Sequence, residues 1–176
     1  MAEEGAQPAP EVQIREIDAD DQCRRFYLES KDFLPLTMFL QKDAKTHHKE
    51  NAAKTYVCVS GKRVIGYISI NCSQIKLDIP PDGLAGYYYS EYPAVKIGKL
   101  AIDSHFRGKG YAKKLVSLVV AVVKQKIMPH VGCRFVIVDS HKDAVPFYQK
   151  RGFTLLDTAE NRDRKNPLMF LDVGKL

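Results

Sequence analysis

The chain has 176 residues, the length of one domain, and at that size folding buries about 70% of the surface the unfolded chain exposes. Apolar residues make up 45% and charged ones 27%, which excludes whole-chain disorder, a collagen-like rod and a disulfide scaffold. Lys and Arg outnumber Asp and Glu by 27 to 21, a net charge of +6 that favours an anionic partner without identifying it.

Residues 1–10, MAEEGAQPAP, carry no Lys or Arg and no apolar stretch. They do not read as a secretory leader, and a disordered tail is expected ahead of a single domain over 11–176. Val12 to Ile17 alternates apolar and polar residues, the period of a first strand. Asp20 or Asp21 is placed to cap a helix running to about Ser30. A second helix is expected from Phe33 to about Lys49, with Phe33, Leu36, Phe39 and Leu40 on one side and Pro35 in its first turn. His47 and His48 point apart on such a helix and read as solvated. Lys54 to Ile70 predicts a hairpin about Ser60-Gly61-Lys62. Residues 74–93 read as a loop, turning at Pro80-Pro81-Asp82-Gly83 and carrying tyrosines from Tyr87 to Tyr89.

Strands are then expected at Lys96 to Ile102 and Phe135 to Val138, joined by a helix from Arg107 to Lys126. A helix from Asp143 to Lys150 and strands at Phe153 to Leu156 and Leu168 to Val173 complete the order. Strand, helix and strand from 96 to 138 imply a parallel crossover, and the hairpin implies antiparallel neighbours. Together they give a mixed sheet with helices on both faces. The longest apolar run, Leu115 to Val123, falls well short of the ~20 residues of a membrane span. Cys23, Cys58, Cys72 and Cys133 are scattered, with no CxxC pair. They read as small buried hydrophobes in a reducing cytoplasm and not as a zinc site.

The stretch that carries chemistry is Lys96 to Ala112, KIGKLAIDSHFRGKGYA. A strand ends, a short loop carries glycines, and a helix begins. The start of a helix offers about four unpaired backbone N–H groups and a partial positive charge. Glycines let an anion approach those groups. Arg107, Lys109, Lys113 and Lys114 crowd that end, with no acid in the first turn. The macrodipole disfavours each cation there by about 0.3–1 kcal/mol. Either this is a solvated basic helix end, or it is a cradle for phosphate or pyrophosphate. A Walker A loop is absent, and a Rossmann fingerprint would need glycine where Lys113 stands.

Arg107-Gly108-Lys109-Gly110-Tyr111-Ala112 matches R/Q-x-x-G-x-G/A, and here the chain resembles the GNAT superfamily of acyl-CoA-dependent N-acyltransferases. Lys99 to Asp103 is similar to the family's strand leading into that loop. Ala144 to Phe153, AVPFYQKRGF, resembles the second motif with its FY-x-K-x-GF ending. The resemblance implies an α/β (α+β) fold: a mixed, mostly antiparallel central sheet, with a parallel central strand pair splayed at the cofactor site and helices on both faces. It implies acetyl-CoA as cofactor and transfer of the acetyl group to a primary amine by direct attack on the thioester. Leu100, Ala101 and Ile102 would then pair with the pantetheine arm. Arg107, Gly108, Lys109, Gly110, Tyr111 and Ala112 would meet the pyrophosphate, and Val136 to Asp139 would form the opposite wall. Ser140 stands as a cofactor contact where many relatives carry Asn.

Tyr148 matches the family tyrosine that reprotonates the departing thiolate. Such a donor must lie within about 3 Å of the sulfur. A phenol of pKa near ~10 passes a proton to a thiolate near ~8.5 only uphill, by about 2 kcal/mol, unless the site helps. The plainer reading of Tyr148 is an aromatic helix residue packed beside Phe147, itself core or cofactor wall.

No general base is evident, because Ala94 to Leu100 holds no acid where many relatives place Glu. Glu91, Asp103, His105 and Asp139 are the nearest candidates. A lysine acceptor, of pKa about 10.4, must lose a proton before attack, whereas an α-amine at about 7.7–8.0 is partly neutral near pH 7. A site without a base suits the α-amine. Asp32-Phe33-Leu34, Glu91-Tyr92-Pro93 and Asn166 to Phe170 resemble, more loosely, GNAT toxins that acetylate the α-amine of aminoacyl-tRNA. That resemblance implies an antitoxin partner and an RNA substrate, contacted through Lys42, Lys45, Lys49, Lys54, Arg162, Arg164 and Lys165. A homodimer is a further expectation, and a membrane partner is not. Relatives acting on small amines or protein N-termini share the same motifs. A non-catalytic acyl-CoA-binding module would keep the signature loop as well.

Overall fold

β1 (Val12–Glu16), β2 (Lys54–Ser60) and β3 (Arg63–Lys76) begin the sheet, each paired antiparallel with the next, and β3 is buried on both faces from Val64 to Ile70. In this computed structural model, which describes residues 11–77 and 87–176, the sheet continues through β4 (Glu91–Ile102), β5 (Phe135–Asp139), β6 (Thr154–Leu155) and β7 (Leu168–Asp172). Its order is β1-β2-β3-β4-β5-β7-β6, and β4 with β5 is the one parallel pair among the described strands. A mostly antiparallel mixed sheet with a central parallel pair is the expected fold.

β2 and β3 send their side chains to two cores, and the bulge that leaves Ile65 unpaired between Val64 and Gly66 puts Ile65 and Ile68 on the same face. Cys58, Ile65 and Ile68 pack with Leu115, Val116 and Val119 of α3 (Tyr111–Val122). Val57, Val59, Val64 and Tyr67 pack on the other face with Phe39, Leu40 and Ala44. Those last residues belong to a continuous helical stretch of α1 (Leu34–Met38), a π turn at Phe39–Asp43 and α2 (Ala44–Lys49). Pro35 sits in its first turn, where a missing N–H costs nothing. Two further short helices are α4 (Val145–Gln149) and α5 (Ala159–Asp163). The sequence pattern did not predict α5. Its Asn161 side chain is buried, donates to the carbonyls of Leu156 and Leu168, and accepts the Leu168 N–H.

Several expectations are corrected. The helix over 20–30 does not form; that segment holds turns and a bridge from Gln22 to Arg63. Its capping aspartate is committed elsewhere: buried Asp21 accepts both terminal nitrogens of Arg15, at 2.9 and 2.7 Å, and the Asp18 N–H at 2.7 Å. β4 begins at Glu91, earlier than expected, and includes Pro93. The proline has no N–H to leave unpaired, and its carbonyl accepts from the Arg134 N–H. The long helix starts at Tyr111 and not Arg107, because Gly108 and Gly110 hold φ of +77° and +79°, outside any right-handed helix. His48 is not solvated, since its Nδ1 accepts the Thr55 N–H at 3.1 Å and its Nε2 lies 3.2 Å from Glu16. Cys72 is exposed, while the other three cysteines are buried.

Residues 1–10 and the turn at Pro80 to Gly83 lie outside the described residues. Among the described residues no group of His, Cys, Asp or Glu is placed to hold a metal ion, and no helix is long and apolar enough to cross a membrane.

Candidate active site

The site begins at a fault in the sheet. Ser69 pairs with Lys99 but Ile70 pairs with Ile97, so Gly98 is an extra residue bulged out of β4. β5 follows β4 only from Ala94↔Phe135 to Ile97↔Val138. Beyond the bulge, Lys99 to Ile102 stays paired with β3 but has no strand on its other side among the described residues. A cleft of about 970 Å³ opens there. Leu100, Ala101 and Ile102 line one wall, and Val138, Asp139, Ser140 and His141 line the other. The opposite wall is therefore shifted from the expected Val136 to Asp139, because Val136 and Ile137 are still paired to β4. Ser140 is buried; its Oγ donates to the His141 carbonyl and its N–H to the Pro167 carbonyl, both at 2.9 Å.

Asp103 fixes where β4 ends. Its carboxylate is fully buried and accepts from the Tyr27 N–H at 3.2 Å, Arg63 Nη2 at 3.1 Å and the His105 N–H at 3.0 Å, with His105 Nδ1 at 2.9 Å. Burial alone would raise its pKa, but the bonds from His105, Arg63 and Tyr27 outweigh burial and hold it below the ordinary carboxylate value. Ser104 ties the same loop to Tyr27 and Glu29.

The loop then passes through its two left-handed glycines, and a Cβ at either would meet nothing within 4 Å. α3 has no side-chain N-cap and no acid in its first turn. Its first helical bond runs from Lys114 N–H to the Gly110 carbonyl, so the N–H groups of Tyr111, Ala112 and Lys113 have no helical partner. Arg107, Gly108, Gly110, Tyr111 and Ala112 all line the cleft, together with Lys113, which the signature match does not single out. Lys109 does not line it; its ammonium lies over the Phe106 ring, 5.3 Å from the centre.

Tyr148 comes from α4, whose first turn holds Pro146, and it also lines the cleft. Its ring is 5% exposed, between Phe147 and Phe153 at 5.1 and 5.3 Å. Its hydroxyl has no hydrogen-bond partner among the described residues, and burial pushes the phenol well above its ordinary value.

The cleft continues toward Leu28, Asp32, Phe33 and Leu36, with Lys165 and Asn166 at its rim. Sequence reasoning assigned Phe33 and Leu36 to a helix face alone. No periodic signal distinguishes a residue that packs on the sheet from one that reaches past its bulge. Of the candidate bases, Glu91 lies away from the cleft and pairs with Lys76, and His105 and Asp103 hold each other beneath the loop. Asp139 lines the cleft but is held by Lys96 and Arg164. Four expected RNA contacts are engaged internally: Lys45 donates to the Ala19 and Asp21 carbonyls, Lys54 to the His48 carbonyl, and Arg162 and Arg164 pair with Asp157 and Asp139.

A splayed parallel pair, a left-handed glycine loop and uncapped helix amides can hold an extended ligand with a diphosphate at one end. The family model described as the acetyltransferase (GNAT) family matches residues 14–153. The chain belongs to the GNAT acetyltransferase family. As such it is an N-acetyltransferase with acetyl-CoA as acetyl donor. The acetyltransferase is similar to a tyrosine-to-phenylalanine mutant of KacT, at 25% identity over 93% of this chain and 96% of that one, with a TM-score of 0.80. It is similar to the KacTA–DNA complex at 26% identity, over 94% and 95% of the two chains, with a TM-score of 0.73. AtaT complexed with acetyl-methionyl-tRNAfMet shares the fold at 24% identity, over 94% and 96% of the chains, with a TM-score of 0.79.

Proposed function

We propose that this acetyltransferase modifies the α-amine of an aminoacyl-tRNA, acting as one unit over residues 11–176 in the cytoplasm and restrained by an antitoxin. The observation that carries the cofactor's placement is the free edge of β4 beyond Gly98, opening beside uncapped α3 amides. In this reading Leu100, Ala101 and Ile102 bind the pantetheine arm as a missing strand would. Arg107, Gly108, Gly110, Tyr111 and Ala112, with the backbone of Lys109, take the diphosphate at the positive end of α3. Ser140 shapes the facing wall.

Tyr148 supplies the proton at the leaving sulfur. Burial keeps its phenol protonated, so it enters each turnover as a donor. The same burial penalises a free phenolate, so its contribution is a hydrogen bond that strengthens as charge develops on sulfur.

The α-amine assignment rests on chemistry within the cleft. The β4 residues that line the cleft, Ile97 to Ile102, include no acid, and Asp139 is held by two cations. Asp32, exposed in the acceptor half, places negative charge where an ammonium would enter. The tRNA reading is supported by likeness over nearly the whole chain to AtaT, seen with acetyl-methionyl-tRNAfMet, and to KacT. Lys165 at the rim, with Lys42 and Lys49 exposed, supplies charge for phosphate. The antitoxin reading is supported by likeness in fold to an AtaT mutant bound to the C-terminus of the antitoxin AtaR.

Thiol release from acetyl-CoA, measured against charged tRNA, uncharged tRNA and a lysine peptide, tests this. Turnover is expected with charged tRNA alone near pH 7, where the neutral fraction of an α-amine exceeds that of lysine by about two to three orders of magnitude. Equal rates on the lysine peptide would overturn the acceptor assignment. Cofactor binding without turnover on any amine would favour the non-catalytic module.

A further inference from the structure

Arg151 follows α4, and acyl transfer as described gives it no task. It lines the cleft. Its guanidinium carbon lies 5.1 Å from the centre of the Phe147 ring, one helical turn earlier. One terminal nitrogen donates to the Lys150 carbonyl at 3.0 Å. Its Nε is buried and has no hydrogen-bond partner. Among the described residues no carboxylate pairs with it. The other such guanidinium nitrogen, Arg63 Nε, belongs to a side chain already paired with Asp103. A guanidinium stays charged at any physiological pH, and leaving a buried charged N–H unpaired is strongly unfavourable. A planar fork braced on an aromatic ring and open to a cleft is suited to a phosphate.

Coenzyme A has two anionic centres, the diphosphate and the 3′-phosphate on its ribose. The left-handed loop and the α3 amides satisfy the first without Arg151, which comes from a different element. We infer that Arg151 binds the 3′-phosphate and so selects coenzyme A over cofactors lacking it. The inference rests on the proposed cofactor placement and names a specificity contact within it. Lys113, in the first turn of α3, is a second cation lining the same cleft.

Calorimetric titration of wild type and Arg151→Gln with coenzyme A and with 3′-dephospho-coenzyme A tests it. The wild type should prefer coenzyme A by about tenfold or more, the scale of a charge-assisted bidentate contact. Arg151→Gln should abolish that preference and leave dephospho-coenzyme A affinity nearly unchanged. Arg151→Lys, which keeps charge but not the fork, should retain part of it. Each preference compares two ligands on one preparation, so an unfolded fraction cancels. A preference that survives in Arg151→Gln would overturn the assignment. Equal weakening of both ligands would place Arg151 on the diphosphate and overturn it too. If wild type binds neither ligand, the cofactor placement itself fails.

Discussion

Replacing Tyr148 with Phe should lower the turnover number by about 10²–10⁴-fold, the usual contribution of a positioned proton donor, with little change in acetyl-CoA affinity or melting temperature. The substitution removes one oxygen and leaves the ring between Phe147 and Phe153. That oxygen has no partner among the described residues, so its loss breaks no hydrogen bond. Activity and stability should therefore separate. Because burial raises the phenol's pKa, the group stays protonated through neutral pH and produces no alkaline fall in turnover below its ordinary value of 10.0. Thiol-release kinetics alongside thermal unfolding give both readouts. Unchanged turnover would show the tyrosine to be packing alone.

Asp103→Ala should produce the largest loss of stability. It strands the Tyr27 and His105 N–H groups and leaves Arg63 unpaired. Removing one partner of a buried ion pair costs about 3–5 kcal/mol, and the low end applies because Arg63 is partly solvated. At this chain length about 3 kcal/mol lowers the melting temperature by about 6–12 °C. The loop from Ser104 to Gly110 keeps the Ser104 bonds to Tyr27 and Glu29 but loses the carboxylate that holds His105 and Arg63, so cofactor affinity should fall as well. The sign of the pH effect follows from depressed carboxyl groups. Asp103 and Asp172 are both held below the ordinary value, Asp172 by Arg134 and Tyr87 against its own burial. Their stabilisation is present above the unfolded value near ~3.9 and is lost as pH falls through the folded values. Wild type should thus lose stability steeply below about pH 4, and Asp103→Ala less steeply. A parallel acid limb in the two proteins would contradict this. Asp157→Ala, which breaks only an exposed pair with Arg162, should change stability by less than about 0.5 kcal/mol.

What was legible in the sequence was what short-range pattern encodes. The apolar run of β5, the turn at Ser60-Gly61-Lys62 of the β2–β3 hairpin and the paired motifs around Arg107 and Tyr148 identified the sheet's centre and the family. The parallel crossover followed from element order and connection handedness. The helix over 20–30 failed because Asp21 is bound by Arg15, a contact across the chain fold that no local window reports. The early start of β4 was hidden by Pro93, which reads as a breaker unless its lack of an N–H goes unnoticed in the ladder. Gly98 was visible as a residue but not as a bulge, because a bulge is a property of two strands. For the same reason the part of the cleft lined by Leu28, Phe33 and Leu36 was not legible. Arg151 stands inside the Ala144 to Phe153 motif, but its orphaned nitrogen exists only once α4 and Phe147 are packed.

A crystal structure with coenzyme A bound tests the cleft most directly. The diphosphate should lie within about 2.7–3.2 Å of the Tyr111 and Ala112 amides, with the pantetheine arm along Leu100 to Ile102 in the gap between β4 and β5. A ligand seated elsewhere, with the glycine loop and the α3 amides left to solvent, would contradict it.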